Sequence, residues 1–189
     1  MARIPAQEAQ HDGVRLAASL MATAARTAPK TRGLDSVETL ILDGDDLETL
    51  AAAMEAKVGE KGGKLPSFAR DAKNVRASSA VLLVGVTGEP KNPKVPLDCG
   101  ACGYGGCAEF VEAKKSDGED FRGPLCMFQS LDLGIALGSA AKTAGLLNID
   151  NRIMYTIGAA ARKLKFLHSD VIIGFPLSAA GKSPYFDRA

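Results

Sequence analysis

Tryptophan is absent from this 189-residue chain, and only 5% of its residues are aromatic, so large aromatic binding platforms are scarce. Neither sign of charge dominates: 23 Lys and Arg stand against 22 Asp and Glu, for a formal net charge of +1. That balance leaves no electrostatic footprint for nucleic acid or an anionic membrane. There are two histidines. His11 lies near the N-terminus and His168 in a polar turn before an apolar run, so neither a histidine-based catalytic pair nor a histidine zinc site is indicated. A G-x-S-x-G elbow, an H-E-x-x-H helix and a G-x-G-x-x-G fingerprint are all missing. No stretch reads as a signal peptide, because the apolar run from Val14 to Ala25 is broken by Arg15 and Ser19 and follows Arg3, Glu8, His11 and Asp12. Leu131 to Ile149 contains Asp132, Lys142 and several glycines, which makes it a poor membrane span. Cysteine is sparse as well: four residues, all between Cys99 and Cys126. A disulfide-stapled secreted protein is normally smaller and spreads its cysteines, so the chain reads as cytoplasmic with reduced thiols.

What is present is an ordinary globular composition, 46% hydrophobic and 24% charged, with 20 Gly and 30 Ala that let helices pack closely. Val14, Ala17, Leu20, Met21 and Ala24 recur at helical spacing up to Ala28, where Pro29 stops the helix. Val37–Leu42 is a short β-type run. Asp45-Asp46-Leu47-Glu48 resembles a capping box, opening a helix with Leu47, Leu50, Ala51 and Met54. Gly59 to Pro66 reads as a polar loop. Ala80–Val86 is a continuous apolar run suited to a strand buried on both faces. After it, Pro90, Pro93 and Pro96 mark a boundary before the cysteine segment. Ser130 is placed to cap a helix reaching Ala144, a second helix is expected over 150–165, and Val171–Phe175 is a strand candidate ended by Pro176. The expected organisation is an α+β sandwich in two halves, residues 1–88 and 130–189, interrupted by a cysteine insert over 89–129.

The insert reads Cys99-Gly-Ala-Cys102-Gly-Tyr-Gly-Gly-Cys107 and then Cys126, a C-x2-C-x4-C-x18-C spacing. Four thiolates can ligate the four irons of a 4Fe–4S cluster, one each. Gly100, Gly103, Gly105 and Gly106 permit positive φ and let backbone N–H groups approach the sulfurs, where their dipoles stabilise an anionic cluster. Ala108 to Lys115 reads as a short helix, with Phe110 and Val111 available to shield a cluster face. The alternative is a four-cysteine zinc site, although zinc ribbons usually show two C-x2-C knuckles and this segment has one.

Asp98 to Cys107, with Cys126, resembles the small 4Fe–4S module of Rnf-type electron-transport subunits and corrinoid iron–sulfur proteins. It differs in a longer last gap and in Met127 where that module has proline. The whole chain resembles the family of uncharacterised ferredoxin-domain-containing proteins. That resemblance is carried by Ala25 to Lys30, the cysteine segment, Asp132-Leu133-Gly134-Ile135-Ala136 and Gly181 to Arg188. The body is similar to the nitroreductase fold, a flavin-binding α+β dimer, in the helix ending at Ala28-Pro29, the strands Val37–Leu42 and Ala80–Val86, the helix through Asp132 to Ala136, and the late strand ending in proline.

The nitroreductase resemblance implies bound FMN and a homodimer. The arginine-rich motif by which that family grips the flavin phosphate has no counterpart before Val14, so Arg26, Lys30 and Arg32 are the candidate flavin or phosphate contacts here. Gly181-Lys182-Ser183 is not a phosphate loop, since position 176, where the first glycine would fall, is proline. The tail instead reads as a docking segment through Pro184, Tyr185 and Phe186, on its own chain or across a dimer interface, with Lys182 and Arg188 as ligand-facing candidates. Asp43, Asp45 and Asp46 fit helix capping, and Asn151 and Arg152 either face a pocket or cap a helix. The resulting expectation is a cytoplasmic iron–sulfur protein with a 4Fe–4S cluster on Cys99, Cys102, Cys107 and Cys126. It exchanges electrons with a redox partner protein or small-molecule acceptor, through a flavin in the fullest version. The competing expectation is a non-enzymatic electron carrier or interaction module whose cluster is structural or sensory.

Overall fold

The computed structural model describes residues 3–92 and 94–186. Its centre is a four-stranded antiparallel sheet in the order β1-β2-β6-β5, formed by Val37–Leu42 (β1), Ala80–Val86 (β2), Asp150–Asn151 (β5) and Val171–Ser178 (β6). Every residue of β2 is buried, because helices cover both faces of the sheet. Ala80, Leu82, Val84 and Val86 meet α1 (Ala6–Thr27) and α5 (Met127–Leu146) on one face. Val81 and Leu83, pointing the other way, meet α2 (Asp45–Glu60), α3 (Ser67–Arg76) and α6 (Tyr155–Lys163).

Close approach in these layers depends on small residues. Val14, Ala18, Met21 and Ala25 of α1 share a core with Ala136, Ala140 and Ala144 of α5, and Ser139 Oγ donates to the Ala24 carbonyl at 3.0 Å. On the other face α6 lies directly against β6. A Cβ built on Gly158 would stand 1.6 Å from the Ile172 carbonyl oxygen, and one on Gly174 would stand 2.0 Å from Ile157 Cγ2. Larger side chains at either position would drive α6 off the sheet.

Several elements depart from the sequence reading for identifiable reasons. α2 begins after Gly44, which holds φ 55°, and no side chain caps it; Asp45, Asp46 and Glu48 instead place negative charge in its first turn. α3 falls where no element is expected: Phe68, Ala72 and Val75 form its buried stripe within a short, mostly polar stretch. Cys126, and not Ser130, is the residue preceding α5, and Ser130 lies inside the helix. Residues 150–154 form β5 and a bridge to Gly174, so α6 starts only at Tyr155. β6 runs through Pro176 to Ser178 because that proline falls between the Met154–Gly174 bridge and the pairing with β5, at a gap in the ladder.

Among the described residues, the stretch between β2 and α5 adds no strand to this sheet. It carries α4 (Cys107–Glu112) and a separate two-stranded hairpin, β3 (Ser116–Asp117) and β4 (Arg122–Gly123). The C-terminal tail docks on its own chain: Tyr185 is buried, its hydroxyl 2.9 Å from Ser78 Oγ. Arg152 donates to the Tyr185 carbonyl at 2.9 Å and lies 5.3 Å over the Phe186 ring, and Asn151 donates to the Ile149 carbonyl. Both of these residues therefore serve the local backbone and the tail.

Candidate metal centre

Cys99 and Cys102 stand on the loop leaving β2, Cys107 opens α4, and Cys126 immediately precedes α5. None is in a disulfide, and all four line one cavity, with Phe110, Met127 and Phe128 among its apolar walls. Among the described residues, no group of three or more His, Cys, Asp or Glu side chains is gathered so as to hold a single ion.

The glycines do part of what their spacing suggests. Gly100 and Gly103 hold φ of 70° and 85°, and the Gly103 N–H donates to the Gly100 carbonyl at 3.0 Å, closing the turn between the first two cysteines. Two amides of the segment are taken by carboxylates instead: Gly105 N–H donates to Glu109 Oε2 and Cys107 N–H to Asp98 Oδ1, both at 2.7 Å. Phe110 is buried, lines the cavity and meets Tyr104 edge-on at 5.6 Å between ring centroids. Val111, expected beside it, points away and is 45% exposed.

The segment is fastened to the body at three places. At its root, Cys126 N–H donates to the Gly88 carbonyl at 2.9 Å, while the buried Asp170 accepts from Gly88 N–H at 2.7 Å and from Lys115 Nζ at 2.5 Å. Burial alone would raise the Asp170 carboxyl, but Lys115 and the Gly88 amide outweigh it and hold the carboxyl below its ordinary range. At the far end, the hairpin tip is gripped by α2 and α6. Lys57, buried on α2, donates to the Glu119 carbonyl at 2.7 Å and to Asp120 Oδ1 at 2.8 Å; Lys61 reaches Asp120 Oδ2 at 2.6 Å, and the Tyr155 hydroxyl donates to the same oxygen. Desolvation works against the Asp120 carboxylate, yet these donors keep its pKa at about 2. The Tyr155 phenol is pushed up to about 12, by burial and by its bond to Asp120.

The third fastening lies beneath the cavity. Asp132 of α5 is 1% exposed; it accepts from Thr31 N–H at 2.9 Å and from the Thr31 hydroxyl at 2.8 Å, and pairs with Lys91 at 2.5 Å. Its carboxyl lies below its ordinary range because these partners outweigh the effect of burial. Ser36 Oγ donates to Gln129 Oε1 at 2.5 Å, and Gln129 Nε2 donates to the Glu89 carbonyl at 2.8 Å. This network is absent from the sequence reading, yet a signal exists. Gln129 and Asp132 fall in the register of Leu133, Ala136 and Ala140, so two polar side chains sit on the buried stripe of a helix.

The candidate flavin contacts surround the same loop. Arg26 donates to the Val37 carbonyl at 2.7 Å and pairs with Asp35 at 2.5 Å. The Lys30 side chain is 6% exposed and its ammonium closes the end of α1, on the Arg26 and Ala28 carbonyls, with Asp35 3.7 Å away. Arg32 stands on an exposed turn at φ 59° and donates to the Val95 carbonyl.

A protein of Archaeoglobus fulgidus, described only as uncharacterized, is 51% identical over 180 residues, spanning 95% of this chain and 94% of its own. The family described as "Uncharacterized protein containing a ferredoxin domain (DUF2148)" matches residues 122–188. The chain belongs to this family. The matched stretch of the ferredoxin-domain family takes in Cys126, α5, α6 and β6 and begins after the first three cysteines.

Solved structures place the fold with nitroreductases. A BluB-like flavoprotein from Clostridium difficile 630 superposes with a TM-score of 0.56 at 14% identity, covering 92% of this chain and 82% of its own. An FMN-containing oxidoreductase gives 0.55 at 17% identity, covering 89% and 68%. A putative NADH dehydrogenase/NAD(P)H nitroreductase from Bacteroides thetaiotaomicron gives 0.51 at 14%, covering 93% and 80%. At these identities the likeness is one of fold. In this ferredoxin-domain protein no helix among the described residues is long and apolar enough to cross a membrane. Lys182 lies in the turn before the short helix Pro184–Phe186, whereas Pro93, Asp187 and Arg188 lie outside the described residues.

Proposed function

We propose that this ferredoxin-domain protein is an iron–sulfur redox protein that holds one 4Fe–4S cluster on Cys99, Cys102, Cys107 and Cys126. The observation that carries the reading is that cysteines spread over residues 99–126 all line one cavity. A cubane takes one thiolate per iron, so its ligands surround a volume and do not converge on a point. The apolar wall of Phe110, Met127 and Phe128 suits such a group by limiting water, and the Gly100 and Gly103 turn brings two of the thiols to the same side. A bound cluster would supply one-electron transfer; the chain's part is to hold it, shade it and set the charge around it.

The nitroreductase-type body supports FMN as the electron partner, which makes a flavin-dependent oxidoreductase the fullest form of this function. Arg26, Lys30 and Arg32 remain the basic residues proposed for its phosphate. Arg32 is the best placed of them, since it is exposed on the turn between α1 and β1, whereas Lys30 is committed to the end of α1. A homodimer completes the proposal. α5 is apolar nearly all round, and its Leu131, Ile135 and Leu146 are 50%, 46% and 73% exposed, while Leu16 of α1 is 63% exposed.

The test is an absorption spectrum of anaerobically purified protein with iron, sulfide, zinc and flavin quantified on the same sample. About four irons and a broad shoulder near roughly 400 nm are expected, and Cys102→Ala is expected to lose stoichiometric iron. A colourless protein with one zinc per chain, or a Cys102→Ala variant with full iron and an unchanged spectrum, overturns the assignment. Iron without flavin limits the function to an electron carrier or a cluster-bearing interaction module.

A further inference from the structure

Among the described residues walling the cysteine cavity, Lys91 carries the one ionisable side chain other than the cysteines themselves. Its side chain is 2% exposed, and its ammonium has three partners: Asp132 Oδ2 at 2.5 Å, the Leu34 carbonyl at 3.0 Å and Ser36 Oγ at 3.0 Å. All three of its donors are thereby used. A buried ion pair seldom stabilises a fold more than apolar side chains of the same volume would. The informative fact is therefore its position. One end of the pair is set in the cavity wall, and the other holds the Thr31 amide and hydroxyl of the loop that leaves α1. Charges out of reach of water are screened little by salt, and the potential of an iron–sulfur group depends on the net charge around it.

We propose that Lys91 is the resident counter-cation of the group held by the four cysteines, that Asp132 sets how much of that positive charge the group feels, and that the pair carries its redox state to the Thr31–Ser36 loop. This rests on the 4Fe–4S reading above. One electron from an external low-potential reductant adds one negative charge inside the cavity; no bond breaks and no proton is required. The added charge draws the Lys91 ammonium towards the cavity and weakens its bonds to the Leu34 carbonyl and Ser36 hydroxyl. Asp132 opposes that movement.

The experiment is an anaerobic spectroelectrochemical titration of the cluster-loaded wild type, Lys91→Met and Asp132→Asn, with iron counted on each sample. Lys91→Met is expected to shift the reduction equilibrium at least tenfold towards the oxidised form, which is about 59 mV for a one-electron couple. Asp132→Asn is expected to shift it in the opposite direction. Full iron with both reduction equilibria within twofold of wild type, or both moving the same way, overturns this proposal alone. A wild type without iron overturns the cluster reading and this proposal with it. Should either variant fail to keep its cluster, hydrogen exchange on the wild type decides: amides of residues 31–36 are expected to exchange faster in the reduced protein. Equal rates in the two states overturn the coupling.

Discussion

Replacing Gly158 by alanine adds a single methyl group at the tightest helix–sheet contact described above. The new Cβ would stand 1.6 Å from the Ile172 carbonyl oxygen and 2.4 Å from its carbonyl carbon. Ordinary van der Waals contact begins at 3.4 Å, so α6 and β6 must separate by roughly 2 Å, and the obstacle is backbone that no rotamer change can move. Overpacking a core typically costs about 1–3 kcal/mol. With main chain on both sides of the clash, the upper end of that range is the expectation. For a chain of this length about 3 kcal/mol corresponds to a fall in Tm of about 6–12 °C. Thermal and urea unfolding followed by far-ultraviolet circular dichroism is the suitable assay, since there is no tryptophan to report. The matched control is Gly59→Ala on α2, where an added Cβ meets nothing within 4 Å. There the same chemical change should be neutral or stabilise by about 0.5–1 kcal/mol through helix propensity. A Gly158→Ala variant as stable as wild type would refute the close packing of α6 on β6.

Two further outcomes follow from the ion pairs and the tail. Asp120 has a pKa of about 2 against an ordinary 3.8, so its stabilising contribution is present above pH 4 and is lost as pH falls towards 2. The shift corresponds to about 2 kcal/mol; Asp120→Asn should remove that part of the acid sensitivity, and an unchanged slope of stability between pH 4 and 2 would count against the hairpin clamp. Tyr185 is 1% exposed at the C-terminal tail, and Tyr185→Ala should cost about 3–5 kcal/mol in urea unfolding. A loss below about 1 kcal/mol, the range of an ordinary surface substitution, would mean that the tail does not dock on its own chain.

The sheet was legible where a local pattern dominates. Val37–Leu42 and Ala80–Val86 are runs that no helix period fits, and both are strands with those bounds. Legibility faded where an element is short or where tertiary pairing decides its extent. α3 holds its buried stripe in ten residues among Arg70, Lys73, Asn74 and Arg76, so its mean polarity hides its period. β5 is two residues long and exists only because Ser178 and Leu177 lie opposite it. At the candidate site, the cysteines announce themselves by spacing, and the cavity collects all four. The residues that fasten the segment do not. Lys57 and Lys61 meet Asp120 across some sixty residues of chain, and Lys91 meets Asp132 across forty-one, with nothing local to pair them. Arg26 and Lys30 were legible as a basic cluster, but their backbone and Asp35 partners depend on how the chain turns after Pro29.

The hydrogen bond from Cys126 N–H to the Gly88 carbonyl has a consequence for the segment's history. It brings Gly88 and Cys126 together on the rim of the sheet, so the excursion between them starts and ends at one place. Segments whose ends meet are the ones that proteins acquire and shed most readily, because the frame on either side need not stretch to accommodate them. The cysteine-bearing stretch thus has the geometry of a graft. Its excision would nonetheless leave Asp132 of α5 without Lys91 and Lys57 of α2 without Asp120, so the frame has been fitted to the graft through its buried charges.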